Sequence, residues 1–357
     1  MSYTTFGVND ANAVKIWSKY LARAERDSLD IARLMGESED SIIQIRRETE
    51  RGPGDLVKFN IRFRPTGRGF TEGQTAEGNG EELSIYQDSV VINELGHVVS
   101  SASKNTIDQQ RVPWDLRRQC KDALAEWWRD RRSVSFFNQV CGFTPQTDTA
   151  YTGLNAVAAP SAGRKIVAGS GANDENITSN DTFTVGLIDQ AVEMATVGNS
   201  KIRATMIDGQ PRYVMYLHPY QVTSLRSAFG AGGWADIQKA AMAGMEASRN
   251  PIFTGALGMY NRVILRESQD VTQGVNSSTG AAIPTVRRAV LLGAQAAVVA
   301  FGNNGYGPNQ FRWHERLFDH DRLLEVSAWQ IWGCKKVQFN STDHGAIVVS
   351  TYAAASA

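Results

Sequence analysis

The sequence is poor in the features that announce chemistry. Its three cysteines, Cys120, Cys141 and Cys334, lie far apart and form no Cys-x-x-Cys pair. Neither a disulfide framework nor a structural zinc site can be read from them, and a reducing compartment is expected. There is no GxxxxGK[ST], no GxGxxG and no GxSxG, so a phosphate-cradling loop and a nucleophile elbow are both missing. The most apolar stretch, 289–302, is shorter than the roughly 20 residues of a membrane-spanning helix and carries Gln295. The first residues hold no basic segment followed by an apolar one, so no signal peptide is expected. Asn-x-Ser/Thr triplets at Asn176, Asn180, Asn276 and Asn340 are then chance matches. Excess charge of either sign is absent too. The 357 residues carry 37 Lys and Arg against 37 Asp and Glu, for a net charge of zero, which argues against a dedicated nucleic-acid binder. Neutrality favours association over dispersion.

What is present is an ordinary globular composition, 42% hydrophobic and 21% charged, in a chain long enough for more than one lobe. Val14, Trp17, Leu21, Ala24, Ile31 and Leu34 recur near helical spacing and predict an amphipathic helix over 11–35, stopped by Gly36. A helix ahead of the first strand needs either the rest of the chain or a neighbour for its apolar face. Residues 56–64 alternate, with Val57, Phe59, Ile61 and Phe63 on one face and Lys58, Asn60, Arg62 and Arg64 on the other, as a half-exposed strand does. A Gly-rich, charged stretch at 65–82 and a second strand at 83–95 complete a long hairpin, which is marginal in water unless it leans on something. The longest helix is expected over 108–140, opened near Pro113 and Asp115. A small, polar stretch at 143–181 marks a loop or a lobe boundary. Beyond it, helices at 184–197 and 234–247, a short helix opened by His218-Pro219, and strands at 213–217 and 260–265 interleave, and the last 45 or so residues are strand-rich. That interleaving is of an α/β or an α+β lobe, and the resemblance set out below implies α+β.

Candidate chemistry is thin. His314, Asp319, His320 and Asp321 offer metal-binding side chains at no recognised spacing, and a solvated turn explains them more simply. His97 has no nucleophile beside it. His218-Pro219 follows an apolar strand, where ligands sometimes bind, but Pro at the first helical position accounts for it. Glu81-Glu82 lies in a glycine-rich tip where nothing could desolvate it. Over 104–132, eight Lys and Arg stand against five Asp and Glu. That is either a solvated helix face or a surface turned towards nucleic-acid phosphates.

The order of elements resembles the Hong Kong 97-type coat-protein fold of tailed bacteriophages. The wording of 76–83, 108–128, 213–226, 250–268, 289–302 and 335–351 is similar, in that order, to one major capsid protein family within it. The resemblance implies an N-terminal arm at 1–51, an extended loop at 52–100 that lies over a neighbour, a peripheral domain at 101–180 with 308–357, and an axial domain at 181–307. It implies a major capsid protein, not an enzyme and without cofactor or metal, self-assembling through hexamers and pentamers into an icosahedral shell around double-stranded DNA. Scaffolding, portal and decoration proteins are further partners on that reading, with synthesis in the host bacterial cytoplasm and no membrane. The interface candidates are Trp17 and Leu21 in the arm helix, Phe59, Ile61 and Phe63 in the extended loop, and Arg62, Arg64, Glu72, Glu77, Glu81 and Glu82 for ion pairs near its tip. Arg117, Arg118, Lys121, Arg129 and Arg132 are the genome-facing candidates. Lys58 and Asn79 offer the residue types of a covalent Lys-Asn crosslink, but no acid stands near to promote it, so none is expected. An encapsulin-type nanocompartment and, from another class, a metal-dependent hydrolase built on His314, Asp319 and His320 are the alternatives.

Overall fold

The computed structural model describes residues 19–25, 30–50, 53–62, 67–78, 80–81, 85–103, 106–198, 201–207, 209–227, 257–305 and 310–355, with backbone only at 30, 50, 62 and 85. Its axis is the helix α1, Leu116–Cys141, which starts where the sequence supplies a cap: Asp115 Oδ1 accepts the Arg117 N–H at 3.0 Å. It stops at Gly142, whose φ of 68° suits glycine and whose N–H returns to the Asn138 carbonyl.

Eight strands carry the fold up to and around this helix: β1 (Ile43–Arg46), β2 (Leu56–Arg62), β3 (Ile85–Val91), β4 (Asn93–Ala102), β5 (Lys165–Val167), β6 (Gln210–Leu217), β7 (Val263–Glu267) and β8 (Ala282–Leu292). Four more close it: β9 (Ala297–Phe301), β10 (Arg312–Phe318), β11 (Leu323–Lys336) and β12 (Ala346–Tyr352). The first sheet runs from a two-residue strand, Met35–Gly36, through β1, β9 and β11 to β10, with β4 along the other edge of β11. The second runs β5, β12, β8, β6, β7 and ends at Gly258–Tyr260. Helices α2 (Val185–Val197) and α3 (Pro219–Ser227) cover it.

The strand patterns follow from what lies on each side. β11 alternates, with Leu324, Val326, Ala328, Gln330 and Trp332 buried, because only one face of its sheet meets α1. In the second sheet, Val214, Tyr216, Val290, Leu292 and Val348 join the α1 residues Phe136 and Phe137 in one core. The alternate residues Tyr213, Met215, Leu291, Ile347 and Val349 pack with Leu187, Ile188, Val222 and Leu225 of α2 and α3. Burial on both faces makes these strands read as unbroken apolar runs. Each such side chain contributes about 1.5–3 kcal/mol, so the end of α1 wedged between sheets is the best-anchored part of the helix.

Several expectations are revised. The helix over 11–35 does not persist: residues 19–25 are helical, Asp30–Leu34 is a 3-10 turn, and Met35–Gly36 pairs in parallel with β1. The longest helix begins at 116 rather than 108, after a separate short helix, Ile107–Arg111. The apolar run 289–302 ends β8, turns through Gln295 at φ 53°, and forms β9. The expected helix at 234–247 lies outside the described residues.

Candidate assembly surfaces

β2 and β3 pair in register, Val57 with Val90, Phe59 with Asp88 and Ile61 with Tyr86, and the sequence alternation decides which side is buried. Val57, Phe59 and Ile61 are 3%, 3% and 1% exposed, packed with Val90, Ile92, Val298, Ala300 and Val337 of the same subunit. This corrects the neighbour-contact assignment of Phe59 and Ile61, whose surface is spent on their own chain. Leu21 is likewise fully buried in the main core, not held out for a neighbour. Trp17, Phe63, Arg64, Glu82 and Asn79 lie outside the described residues, and of Arg62 only the backbone is described.

Polar groups root the hairpin further. Lys335 Nζ meets Asp88 Oδ1 at 2.6 Å, and Asp88 Oδ2 accepts the Gln338 N–H at 3.2 Å. A Cβ at Gly333 would strike the Val91 carbonyl oxygen, so glycine there lets β11 pass against the hairpin base. The tip is different in kind: every described side chain from 67 to 81, including Phe70, Glu72, Glu77 and Glu81, is exposed. Glu81 Oε2 accepts the Gly67 N–H at 2.5 Å, closing the tip on itself. Lys58 is exposed.

The basic run on α1 is largely consumed inside the subunit. Arg117 donates from Nη2 to Glu315 Oε1 at 2.8 Å, and the same carboxylate accepts the Trp313 indole N–H at 2.7 Å. Lys121 pairs with Asp122 at 3.0 Å, Arg129 with Asp130 at 2.7 Å, and Arg131 lies over the Tyr151 ring at 3.7 Å. Arg132 is the plain error: its side chain is 3% exposed and paired with Glu25, so it faces no genome. Burial lowers its pKa while Glu25 acts in the opposite sense. Arg118 remains exposed, but Glu126 and Asp130 are exposed on the same helix, and the face is mixed rather than basic.

No group of three metal-ligating side chains comes together among the described residues. Asp319, His320 and Asp321 have φ of 50°, 52° and 68° and form the turn between β10 and β11, while His314 lies on the exposed face of β10. His97 sits inside β4 and stacks on Trp127, ring centroids 4.5 Å apart and 10° from parallel. Burial first and then Arg131 lower its pKa. His218 caps α3, its Nδ1 accepting the Tyr220 N–H at 3.2 Å.

Sequence reasoning missed Asp174, Arg288 and Asn155. Arg288 Nη1 donates to the Gly142 and Cys141 carbonyls at 2.7 and 3.2 Å, and its Nη2 meets Asp174 at 2.7 Å. A guanidinium thus ties the open end of α1 to the second sheet, where the helix dipole favours a cation. No local pattern marks such residues, for Arg288 and Asp174 are 114 positions apart and Asn155 and Val91 are 64 apart.

A long helix held between two sheets and a hairpin rooted in its own subunit with an exposed, charged tip make up the Hong Kong 97-like coat-protein fold. The chain belongs to the phage capsid protein family, whose sequence model matches residues 5–355. It is similar to the capsid protein of Ralstonia phage GP4, with 30% identity, a TM-score of 0.76 and 90% of each chain covered. The cyanophage Pam1 capsid shares the fold at 18% identity, with a TM-score of 0.68 and 91% of this chain and 92% of that chain covered. The head of Helicobacter pylori bacteriophage KHP40 does so at 16% identity, with a TM-score of 0.60 and 89% of each chain covered. No curated protein sequence matches the chain. It is a phage major capsid protein, a structural protein of an icosahedral shell.

Proposed function

We propose that copies of this chain form hexamers and pentamers that close around double-stranded DNA, and that the hairpin tip at 67–81 is the part that reaches over a neighbour. The observation that carries this is the contrast along one hairpin: Phe59 and Ile61 at its base are buried in their own subunit, while the tip is exposed throughout its described residues. A two-stranded ribbon is held firmly at one end and offered at the other, and a second copy is the support it lacks. On this reading residues 1–51 are the N-terminal arm, 52–100 the extended loop, 101–180 with 308–357 the peripheral domain, and 181–307 the axial domain. Arg117, Arg118, Lys121 and Arg129 remain the genome-facing candidates, with Arg118 the most exposed to phosphates. Scaffolding, portal and decoration proteins are further partners, met in the host bacterial cytoplasm where the chain is made.

Electron micrographs of the purified protein test the reading. Closed shells from the wild-type chain, and folded but particle-free subunits from the triple variant Glu72→Lys, Glu77→Lys, Glu81→Lys, are expected. Normal particles from that variant would remove the tip from the interface.

A further inference from the structure

Arg287 and Arg288 are neighbours on β8, so their side chains leave by opposite faces of the second sheet. Arg288 is answered by Asp174 and by the carbonyls at the end of α1. Arg287 is not. It is partly buried, its Nε is closed off from water, and its side chain makes no hydrogen bond or ion pair with any described residue. Beside it stands the Tyr220 ring, with the guanidinium carbon 5.8 Å from the centroid. An aromatic face attracts a cation but does not neutralise it, and burial lowers the pKa of this arginine.

A second donor meets the same ring. The His218 side chain, in a residue 7% exposed, lies 4.5 Å from Tyr220 between ring centroids. Its Nδ1 accepts the Tyr220 N–H, which places the proton of the neutral imidazole on Nε2, and no described group accepts that proton. Burial, then Arg287, keeps this histidine neutral. Gln221, 0% exposed, fixes the surroundings: its Oε1 accepts the His218 backbone N–H at 2.9 Å, and its Nε2 donates to the Thr351 hydroxyl at 2.8 Å and to the Arg287 carbonyl at 3.1 Å. One buried carboxamide thus ties the start of α3 to β8 and β12 where the two donors gather.

We propose that Arg287 and His218, walled by the Tyr220 ring, form a site for one carboxylate, whose oxygens are taken by the guanidinium fork and the imidazole Nε2–H. One cation beside a neutral histidine offers a single positive charge, which one carboxylate balances and a phosphate dianion exceeds. The planar fork matches a carboxylate in geometry as well as charge, and donors held in place by Gln221 need little ordering when the ligand arrives. Two sources supply such a group: a free carboxylate, or an acidic side chain of a second copy, the latter resting on the assembly reading above.

Thermal unfolding of the unassembled full-length subunit at pH 7 tests the site, with sodium acetate set against sodium chloride of equal ionic strength. Acetate in about tenfold excess over its dissociation constant should raise the wild-type midpoint by about 2 °C more than that of Arg287→Gln. His218→Asn, which keeps an acceptor for the Tyr220 N–H and loses the Nε2–H, should shift less than wild type. Equal shifts in wild type and Arg287→Gln overturn the site, and a larger wild-type shift in inorganic phosphate than in acetate overturns the carboxylate. Should Arg287→Gln not accumulate as folded protein, His218→Asn carries the comparison, and an undiminished shift there overturns the site. The same comparison on closed wild-type shells separates the sources: an acid of a second copy abolishes the acetate shift by occupying the site, whereas a site for a free carboxylate keeps it. The subunit comparison needs no shells, so the site and the assembly reading fail separately.

Discussion

Asn155 bonds Val91 twice: its Oδ1 accepts the Val91 N–H at 2.9 Å and its Nδ2 donates to the Val91 carbonyl at 2.7 Å. One side chain, 5% exposed, thus completes the backbone pairing at the root of the hairpin, where no third strand is available. Asn155→Leu keeps the volume and removes both bonds, leaving a strand donor and acceptor buried and unpaired, at a cost of about 2–4 kcal/mol. Urea denaturation should show that loss as a lower midpoint with an unchanged slope.

Phe59→Asp separates the two ends of the hairpin. With Phe59 3% exposed among Val298, Ala300 and Val337, a carboxylate there would be buried in apolar surroundings opposite Asp88, with the Arg46 guanidinium 6.0 Å from the centre of the ring it replaces, and the subunit itself should lose more than about 2 kcal/mol. The same substitution at the half-exposed Phe70 of the tip should leave the unfolding midpoint within about 0.5 kcal/mol of wild type. A folded, stable Phe59→Asp subunit would mean that the hairpin base packs elsewhere.

The alternation in 56–62 and the helical period after Asp115 were legible because each pattern is imposed by one burying face close at hand. Arg132 was not, since it stands in a run of arginines and its burial depends on Glu25, 107 positions away. The broken N-terminal helix was illegible for a related reason: Met35–Gly36 finds a strand partner in β1, and tertiary pairing outweighs local helical spacing. Of the assembly surface, composition revealed the acidic, glycine-rich tip, but the period-two pattern at Phe59 and Ile61 shows only that one face is covered, not by which copy.

Acid should weaken the subunit in a defined window. Burial, then Arg287, pushes His218 down to about 4, and burial, then Arg203 and Arg164, does the same to His344. Both fold neutral, whereas an unfolded histidine titrates near 6.5. Between those values the unfolded chain binds more protons, so stability is full above about pH 6.5, falls as the pH drops, and levels off from these groups below about 4. Each contributes on the order of 3 kcal/mol across that range. His218→Asn, which keeps a cap acceptor for α3, and His344→Gln should each flatten the dependence of the thermal midpoint between pH 6.5 and 4. An equally steep dependence in the double variant would rule out these two residues.

The three cysteines should be silent in the folded protein. All are buried; burial pushes the Cys334 thiol up to about 12 and raises those of Cys120 and Cys141, which removes the nucleophilic thiolate. Iodoacetamide should therefore leave native subunits unlabelled and modify all three once urea is added, as intact mass spectrometry reads directly. Labelling of the native chain at Cys334 would require β11 to open.

Asp174 and Arg288 make the sharpest energetic case. Asp174 is 1% exposed, and burial alone would raise its pKa; Arg288, Lys165 at 2.8 Å and the Val275 N–H outweigh it and hold the carboxyl low. Replacing the acid by Asn strands two cations, and replacing Arg288 by Met strands the acid with Lys165 alone and frees the last carbonyls of α1. Each single change should cost about 3–5 kcal/mol, because a buried charge left behind is worse than no charge. Asp174→Asn/Arg288→Met removes both members, so its cost should fall short of the sum by about 1–3 kcal/mol. Additive losses in a double-mutant cycle would show that Arg288 acts only on the α1 carbonyls, and that the helix end and the second sheet are joined without the ion pair.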